Sequence, residues 1–184
     1  MQGLIIVGVV FFIPVIWVIA QYNSLVSLRN HISESWSNVD TELKRHYELI
    51  PNLVTTVKGY AAHERETLER LVELRNRCAE NHGSVISQEH DETQLVDALK
   101  QVFVVVENYP QLKADQHFLK LQGELTNTEN RIQAARRFYN GNVRDYRNKC
   151  EVFPSNLVAR AFNFAPRDFF SVPAAVAEVP EMNF

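Results

Sequence analysis

Apolar and polar residues follow one another along this chain in three different patterns. Gly3 to Ala20 is an unbroken apolar run of 18 residues, with the Trp17 indole as its one hydrogen-bonding side chain. At the α-helical rise it covers about 27 Å, close to the roughly 30 Å of a bilayer's hydrocarbon core. From Leu25 onward apolar residues recur at steps of three and four through Leu28, Ile32, Trp36, Val39 and Leu43. That is the stripe of a helix continuing out of the run. Pro51 interrupts it, and a stripe resumes nearly in phase through Val54, Val57, Ala61, Leu68, Leu71 and Leu74. Proline suits a first helical turn but kinks or breaks an interior, so the pattern permits either a kink or a tight hairpin. Gly83 and Ser84 close this segment and Ser87–Glu92 reads as a polar connection. Leu95, Leu99, Val102, Phe103 and Val106 form the next stripe, with Val102–Val106 predicted as a deeply buried helical turn.

The last long segment is the most regular. Phe118, Leu125, Ile132, Tyr139 and Tyr146 are spaced by seven, with Leu121, Thr128 and Ala135 on the alternate seam. Four such intervals predict bundle packing. Phe153-Pro154-Ser155-Asn156 predicts a turn into a short helix, Leu157–Phe162, and the Ala/Val/Pro-rich Ser171–Phe184 a loose tail. The expected organisation is all-α. An N-terminal transmembrane anchor (1–21) precedes a helical bundle (22–152), a short aromatic segment (153–170) and the tail (171–184).

A cleaved signal peptide is the competing reading of the first run. No Lys or Arg precedes it, it is longer than a usual signal core, and bulky Trp17 lies close to the small-residue site at Val18 and Ala20. Trp17 and Tyr22 stand where interfacial aromatics lie in a retained span. Basic residues follow the run at Arg29, Lys44 and Arg45 and none precedes it, which predicts an outside N-terminus and a cytoplasmic domain.

Composition narrows the chemistry. A net charge of −3 and a pI near 6.1 give no nucleic-acid footprint, so no nucleic-acid partner is expected. Cys78 and Cys150 lack CxxC spacing and read as small half-buried side chains. A carboxylate-bridged di-metal bundle needs two Glu-x-x-His repeats, and the chain has none. His31/Glu34, Glu42/His46 and His63/Glu66 share faces only in pairs, and no nucleophile or phosphate-loop motif occurs. No catalytic, cofactor or metal residue is therefore assigned. Two polar features remain. Asn52, Glu129, Asn130, Arg131 and Asn140 lie on or beside the seam, either as a network fixing helix register or as a polar groove for a partner. Arg131, Arg136, Arg137, Arg144, Arg147 and Lys149 make the end of the last helix basic. With Phe169 and Phe170, the cations Arg144, Arg147 and Lys149 are candidates for contact with an anionic membrane surface; alternatively the rings cap the bundle core.

Several blocks resemble the LemA family in its order. They are Tyr22-Asn23-Ser24-Leu25-Val26, then Leu49-Ile50-Pro51-Asn52-Leu53-Val54 with Val57-Lys58-Gly59-Tyr60 and His63-Glu64. Tyr109-Pro110-Gln111-Leu112-Lys113-Ala114, Leu121-Gln122, Thr128-Glu129-Asn130-Arg131-Ile132, Tyr139-Asn140 and Phe153-Pro154-Ser155-Asn156 follow. The resemblance spans about Tyr22 to Phe170. It implies a bacterial membrane protein with one anchor and an antiparallel four-helix bundle of helices near 22–49, 51–82, 91–109 and 111–150. It also implies a turn at Pro51. The chain departs from the family pattern at His46 and Glu48, where Arg and Asp are usual, and at Gln116-His117, where an Asn pair is usual. Any site at those positions is thereby in doubt here. The expected function is a non-enzymatic scaffold or adaptor at the cytoplasmic face of the inner membrane. It is held to the lipid bilayer through residues 3–20 and works with another membrane-associated protein. The alternative is a ligand- or metal-dependent enzyme with its site between helices. Nothing in the sequence sets the oligomeric state.

Overall fold

Helix-forming segments broken by short polar turns build every element of the computed structural model, which describes the backbone of residues 2–171 and side chains from Phe12 onward. Among the described residues six helices follow in order: α1 (Gln2–Tyr60), α2 (Arg65–Glu80), α3 (Val85–Val106), the single turn α4 (Pro110–Lys113), α5 (Gln116–Glu151) and α6 (Ser155–Ala161). No strand occurs among the described residues. The fold is all-α, as the periodicities predict. Among the described residues no helix is long and apolar enough to cross a membrane. Half of the Gly3–Ala20 run, residues 3–11, has side chains outside those residues, as does the tail from Val172.

The chain divides into two units. One joins Thr41–Gln133 with the chain from Phe169 on; the other joins the chain up to Asp40 with Ala134–Asp168. In the first unit the ends of α1 and α5 run antiparallel: Arg131 reaches Glu42 at 3.7 Å, and the Tyr60 hydroxyl donates to Asp115 at 3.1 Å. α2 and α3 form an antiparallel hairpin in which Arg77 meets Asp91 at 3.1 Å. Ile50, Leu53, Val57, Leu71, Leu95, Val102, Leu112, Phe118, Leu125 and Ile132 are buried, each side chain contributing about 1.5–3 kcal/mol.

The expected turn at Pro51 is not there: α1 continues to Tyr60, and the chain reverses at residues 61–64 instead. The reason lies outside the helix. Proline has no N–H, so the carbonyl four residues earlier, that of Tyr47, loses its helical partner. The Arg75 Nε of α2 donates to that carbonyl at 3.1 Å. The apolar seam also keeps phase, with Ile50, Leu53 and Val57 all buried. Continuing the helix buries that seam, while the missing bond is replaced from a neighbour.

The expected polar connection is helical as well. Ser84 caps α3 by accepting from the Ser87 N–H at 3.3 Å, so Ser87–Glu92 forms its first turns. Asn81 ties the short link together, donating to Asp91 at 2.6 Å and to Ser87 at 3.0 Å and accepting from the Gly83 N–H at 2.8 Å. Arg77 turns across to Asp91 of α3, and Glu73 pairs with Arg70 at 2.9 Å. Val102–Val106 is helical, yet only Val102 and Val106 are buried and Val104 is exposed.

In the second unit α1 and α5 are again antiparallel. Trp36 stands edge-on to Tyr139 with centroids 5.7 Å apart, and the Asn142 amide donates to the His31 carbonyl at 3.4 Å. The predicted short helix is α6. It ends with Asn163 in the left-handed region (φ 56°), the Phe164 N–H bonding the Ala159 carbonyl at 2.9 Å and the Asn163 N–H the Arg160 carbonyl at 3.3 Å. This helix-ending pair of bonds reverses the chain. The segment after it is held by the Tyr146 hydroxyl on the Ala165 carbonyl and the Tyr139 hydroxyl on the Asp168 carbonyl, both at 3.1 Å.

Candidate functional site

The Thr41–Gln133 unit carries a groove of about 390 Å³ bounded by His46 of α1, Val96, Leu99, Lys100 and Phe103 of α3, and Leu125, Thr126, Glu129 and Asn130 of α5. Its floor is apolar because α3 and α5 turn their seams inward here; Phe103 rests edge-on against Phe118 at 6.2 Å. Its rim is polar. Glu129 accepts from the Gln133 amide at 2.9 Å, and Lys100 pairs with Asp97 at 3.0 Å. Close by in sequence is a buried polar set the residue pattern does not reveal. His46, Tyr47 and Glu92 are all buried, and the Tyr47 hydroxyl donates to the Glu92 carboxylate. Pro51 signals a neighbouring contact only: a proline inside a seam needs a donor from elsewhere for the Tyr47 carbonyl, which Arg75 supplies.

A second, mostly polar depression of about 610 Å³ is lined by Asn52, Thr55, Thr56, Tyr60, Asp115, His117, Lys120, Leu121 and Glu124. Asp115 organises it. One carboxylate oxygen caps α5 by accepting the Phe118 N–H at 2.9 Å and the other accepts the Tyr60 hydroxyl. The Phe118 amide, with the Tyr60 hydroxyl, holds the Asp115 carboxyl below its usual range, and the same contact with Asp115 raises the Tyr60 phenol.

The five polar candidates do not converge. Asn52 belongs to the second depression, and Glu129 and Asn130 to the first groove. Arg131 turns to Glu42, which also takes Arg45 at 3.4 Å, and Asn140 lies in the other unit. The departures from the family pattern separate too: His46 is buried at the first groove, while Gln116 and His117 are exposed. Of the membrane-surface candidates, Arg144 pairs with Asp145 at 3.1 Å and Arg147 with Glu151 at 3.8 Å, and Lys149 is half-buried. Phe169 is exposed. Phe170 is a correction: only 2 % of it is exposed, so its ring lies inside its unit and is not offered to a bilayer. Its neighbour Ser171 is held by Glu89, which accepts from the Ser171 amide at 3.2 Å and its hydroxyl at 3.0 Å.

Neither thiol is poised to react. Burial, then the nearby Asp91, pushes Cys78 up to about 11, and burial also raises Cys150. Among the described residues no group of three or more His, Cys, Asp or Glu is arranged to hold a metal ion. Among its surface depressions the described part thus offers a groove with an apolar floor and polar rim and an open, mostly polar depression.

Residues 35–184 match the model of the LemA family. Over 154 residues the chain is also 25 % identical to Protein LemA of Metamycoplasma hominis, covering 84 % of this chain and 68 % of that protein. With the match extending over most of its length, this chain belongs to the LemA family.

Proposed function

We propose that this chain is a single-pass membrane protein anchored through residues 3–20. In this reading it is a non-enzymatic adaptor at the cytoplasmic face of the bacterial inner membrane, and its helical bundle receives a segment of another membrane-associated protein. The observation that carries the reading is α1 itself, one helix from Gln2 to Tyr60 that includes both the apolar run and bundle-forming residues. In its described part Phe12, Ile13, Val15, Ile16 and Ile19 are all exposed. So dense a set of bare apolar side chains on one helix suits a hydrocarbon surrounding better than water. The adaptor half of the reading draws on the 390 Å³ groove, whose apolar floor and polar rim suit the apolar face of an amphipathic partner helix.

The test uses the full chain in cells of its own kind. Membranes are extracted with carbonate, and proximity labelling compares the native chain with Thr126→Arg/Asn130→Arg, both exposed groove positions. The expected result is a carbonate-resistant chain in both cases and loss of a membrane-protein neighbour in the variant. Release by carbonate overturns the anchor. An unchanged neighbour set overturns the groove as the docking surface.

A further inference from the structure

We infer that the end of α5 and helix α6 form a second lipid contact, an interfacial foot. Phe153, Leu157 and Phe162 enter the headgroup–acyl boundary of an anionic bilayer beside the place where α1 leaves it. The inference rests on residues 3–20 being an anchor, and everything else in it comes from the unit that joins the chain up to Asp40 with Ala134–Asp168. In that unit α1 and α5 are antiparallel, Trp36 lying against Tyr139 and His31 against Asn142. Following the same run, each step forward along α5 is a step back along α1, so Val152 and Phe153 come level with Tyr22. That is two residues, or about 3 Å of helix, beyond the end of the apolar run.

Direct contacts agree. Tyr22 stands edge-on to Phe162 at 4.9 Å and to Phe164 at 5.6 Å between centroids. The reversal at Asn163 delivers Phe164 to this point, where the Arg29 guanidinium lies over its ring at 5.6 Å. Phe164 thus works as a wedge against α1. Phe153, Leu157 and Phe162 do not: they remain 74 %, 57 % and 51 % exposed, with exposed Val152 beside them. A cluster of bare large apolar side chains is uncommon on a water-facing surface. Aromatic rings at the end of an apolar span are characteristic of the membrane interface, where an apolar face and a polar rim are both satisfied. The flanks are basic. Lys149 and Arg160 flank the patch along the chain and Arg29 lies over the adjoining Phe164, while the acids Asp145 and Glu151 are paired with Arg144 and Arg147. That sign favours an anionic headgroup over a neutral one.

The full chain, reconstituted in vesicles of phosphatidylcholine with phosphatidylglycerol, carries the photocrosslinker p-benzoylphenylalanine at one position at a time. Phe153 and Leu157 are exposed, so the replacement disturbs no packing. Ile16 reports on the apolar run. Phe138 of α5 is the control, comparably bare at 61 % exposed but about 21 Å along the chain from Val152. Lipid adducts at 153 and 157, several-fold above those at 138 and reduced when phosphatidylglycerol is left out, are the expected result. Adducts at 16 but none above the control at 153 and 157 overturn the foot and leave the anchor standing. Adducts at 153 and 157 with none at 16 keep the foot and overturn the anchor. Chain-to-chain adducts at 153 and 157 in place of lipid adducts overturn the foot in favour of a second copy of this chain.

Discussion

Replacing Arg75 by Met tests whether a proline can sit in mid-helix because a neighbouring helix supplies its missing hydrogen bond. Arg75→Met keeps most of the aliphatic stem and removes the guanidinium, whose Nε meets the Tyr47 carbonyl at 3.1 Å and whose Nη1 meets the Asn76 side chain at 3.1 Å. The latter loss is common to the native and Pro51→Ala backgrounds. A hydrogen bond from a charged donor contributes about 1.5–3 kcal/mol, and Arg75 is half-buried, so water recovers part of the loss. The expected cost is about 1–2 kcal/mol. The decisive comparison is made in Pro51→Ala. Alanine restores the N–H that the Tyr47 carbonyl lacks, and should itself stabilise the helix by up to about 3 kcal/mol. In that background Arg75→Met should cost less than about 0.5 kcal/mol, because the carbonyl keeps a partner. The coupling is therefore about 1 kcal/mol, beyond the roughly 0.3–0.5 kcal/mol within which independent sites add. Urea unfolding of the four proteins in one mild detergent, followed by far-UV circular dichroism, measures it. Equal costs of Arg75→Met in both backgrounds would falsify the account of how α1 crosses Pro51.

Three further outcomes follow from the same structure. Ile132 is 1 % exposed at the centre of the heptad seam, so Ile132→Ala should lose about 2–5 kcal/mol in urea unfolding; a change within error means α5 is turned differently. Asp115 has its folded-state carboxyl lowered below its ordinary value by the Phe118 amide, so its contribution is present above that ordinary value and is lost as pH falls through the lower folded one. Native protein should lose stability relative to Asp115→Asn over that acid range, and parallel curves would refute the cap. Cys78, pushed up to about 11 and buried, should react with iodoacetamide near neutral pH only after unfolding, while half-buried Cys150 reacts first; equal rates would contradict the packing of α2.

The long-range regularities were the legible part. All five heptad residues of α5, Phe118 through Tyr146, are buried, and the short helix after Pro154 lies where the turn residues predict. Errors arise where one element's local signal is answered by another element. Pro51 looks like an end because its cost is local, whereas its remedy, Arg75, is 24 residues away and on another helix. Ser87–Glu92 looks like a loop because it is polar, yet Ser84 caps it and Glu92 turns inward to Tyr47. The candidate site failed for a related reason. Asn52 and Glu129 share a polar character, but the face of a helix on which each lies sends them to different grooves.

Tyr47 joins these cases. Its phenol binds α3 through Glu92 and its carbonyl binds α2 through Arg75, so one residue of α1 positions two neighbours. An apolar seam such as Ile50, Leu53 and Val57 repeats nearly every turn and sets the register of a packed helix only weakly. A buried polar pair is satisfied in one register alone, since a shift of a single turn strands its donor and acceptor in an apolar surrounding. Placing the pair beside Pro51 makes the exposed carbonyl useful: the defect in α1 becomes the acceptor that fixes α2. The groove is bounded by His46, the residue before Tyr47, and by the turn of α3 that follows Glu92. Its width is therefore set by the same polar contacts that settle the register. A docking surface built this way depends on hydrogen bonds beneath it as much as on the apolar residues that line it.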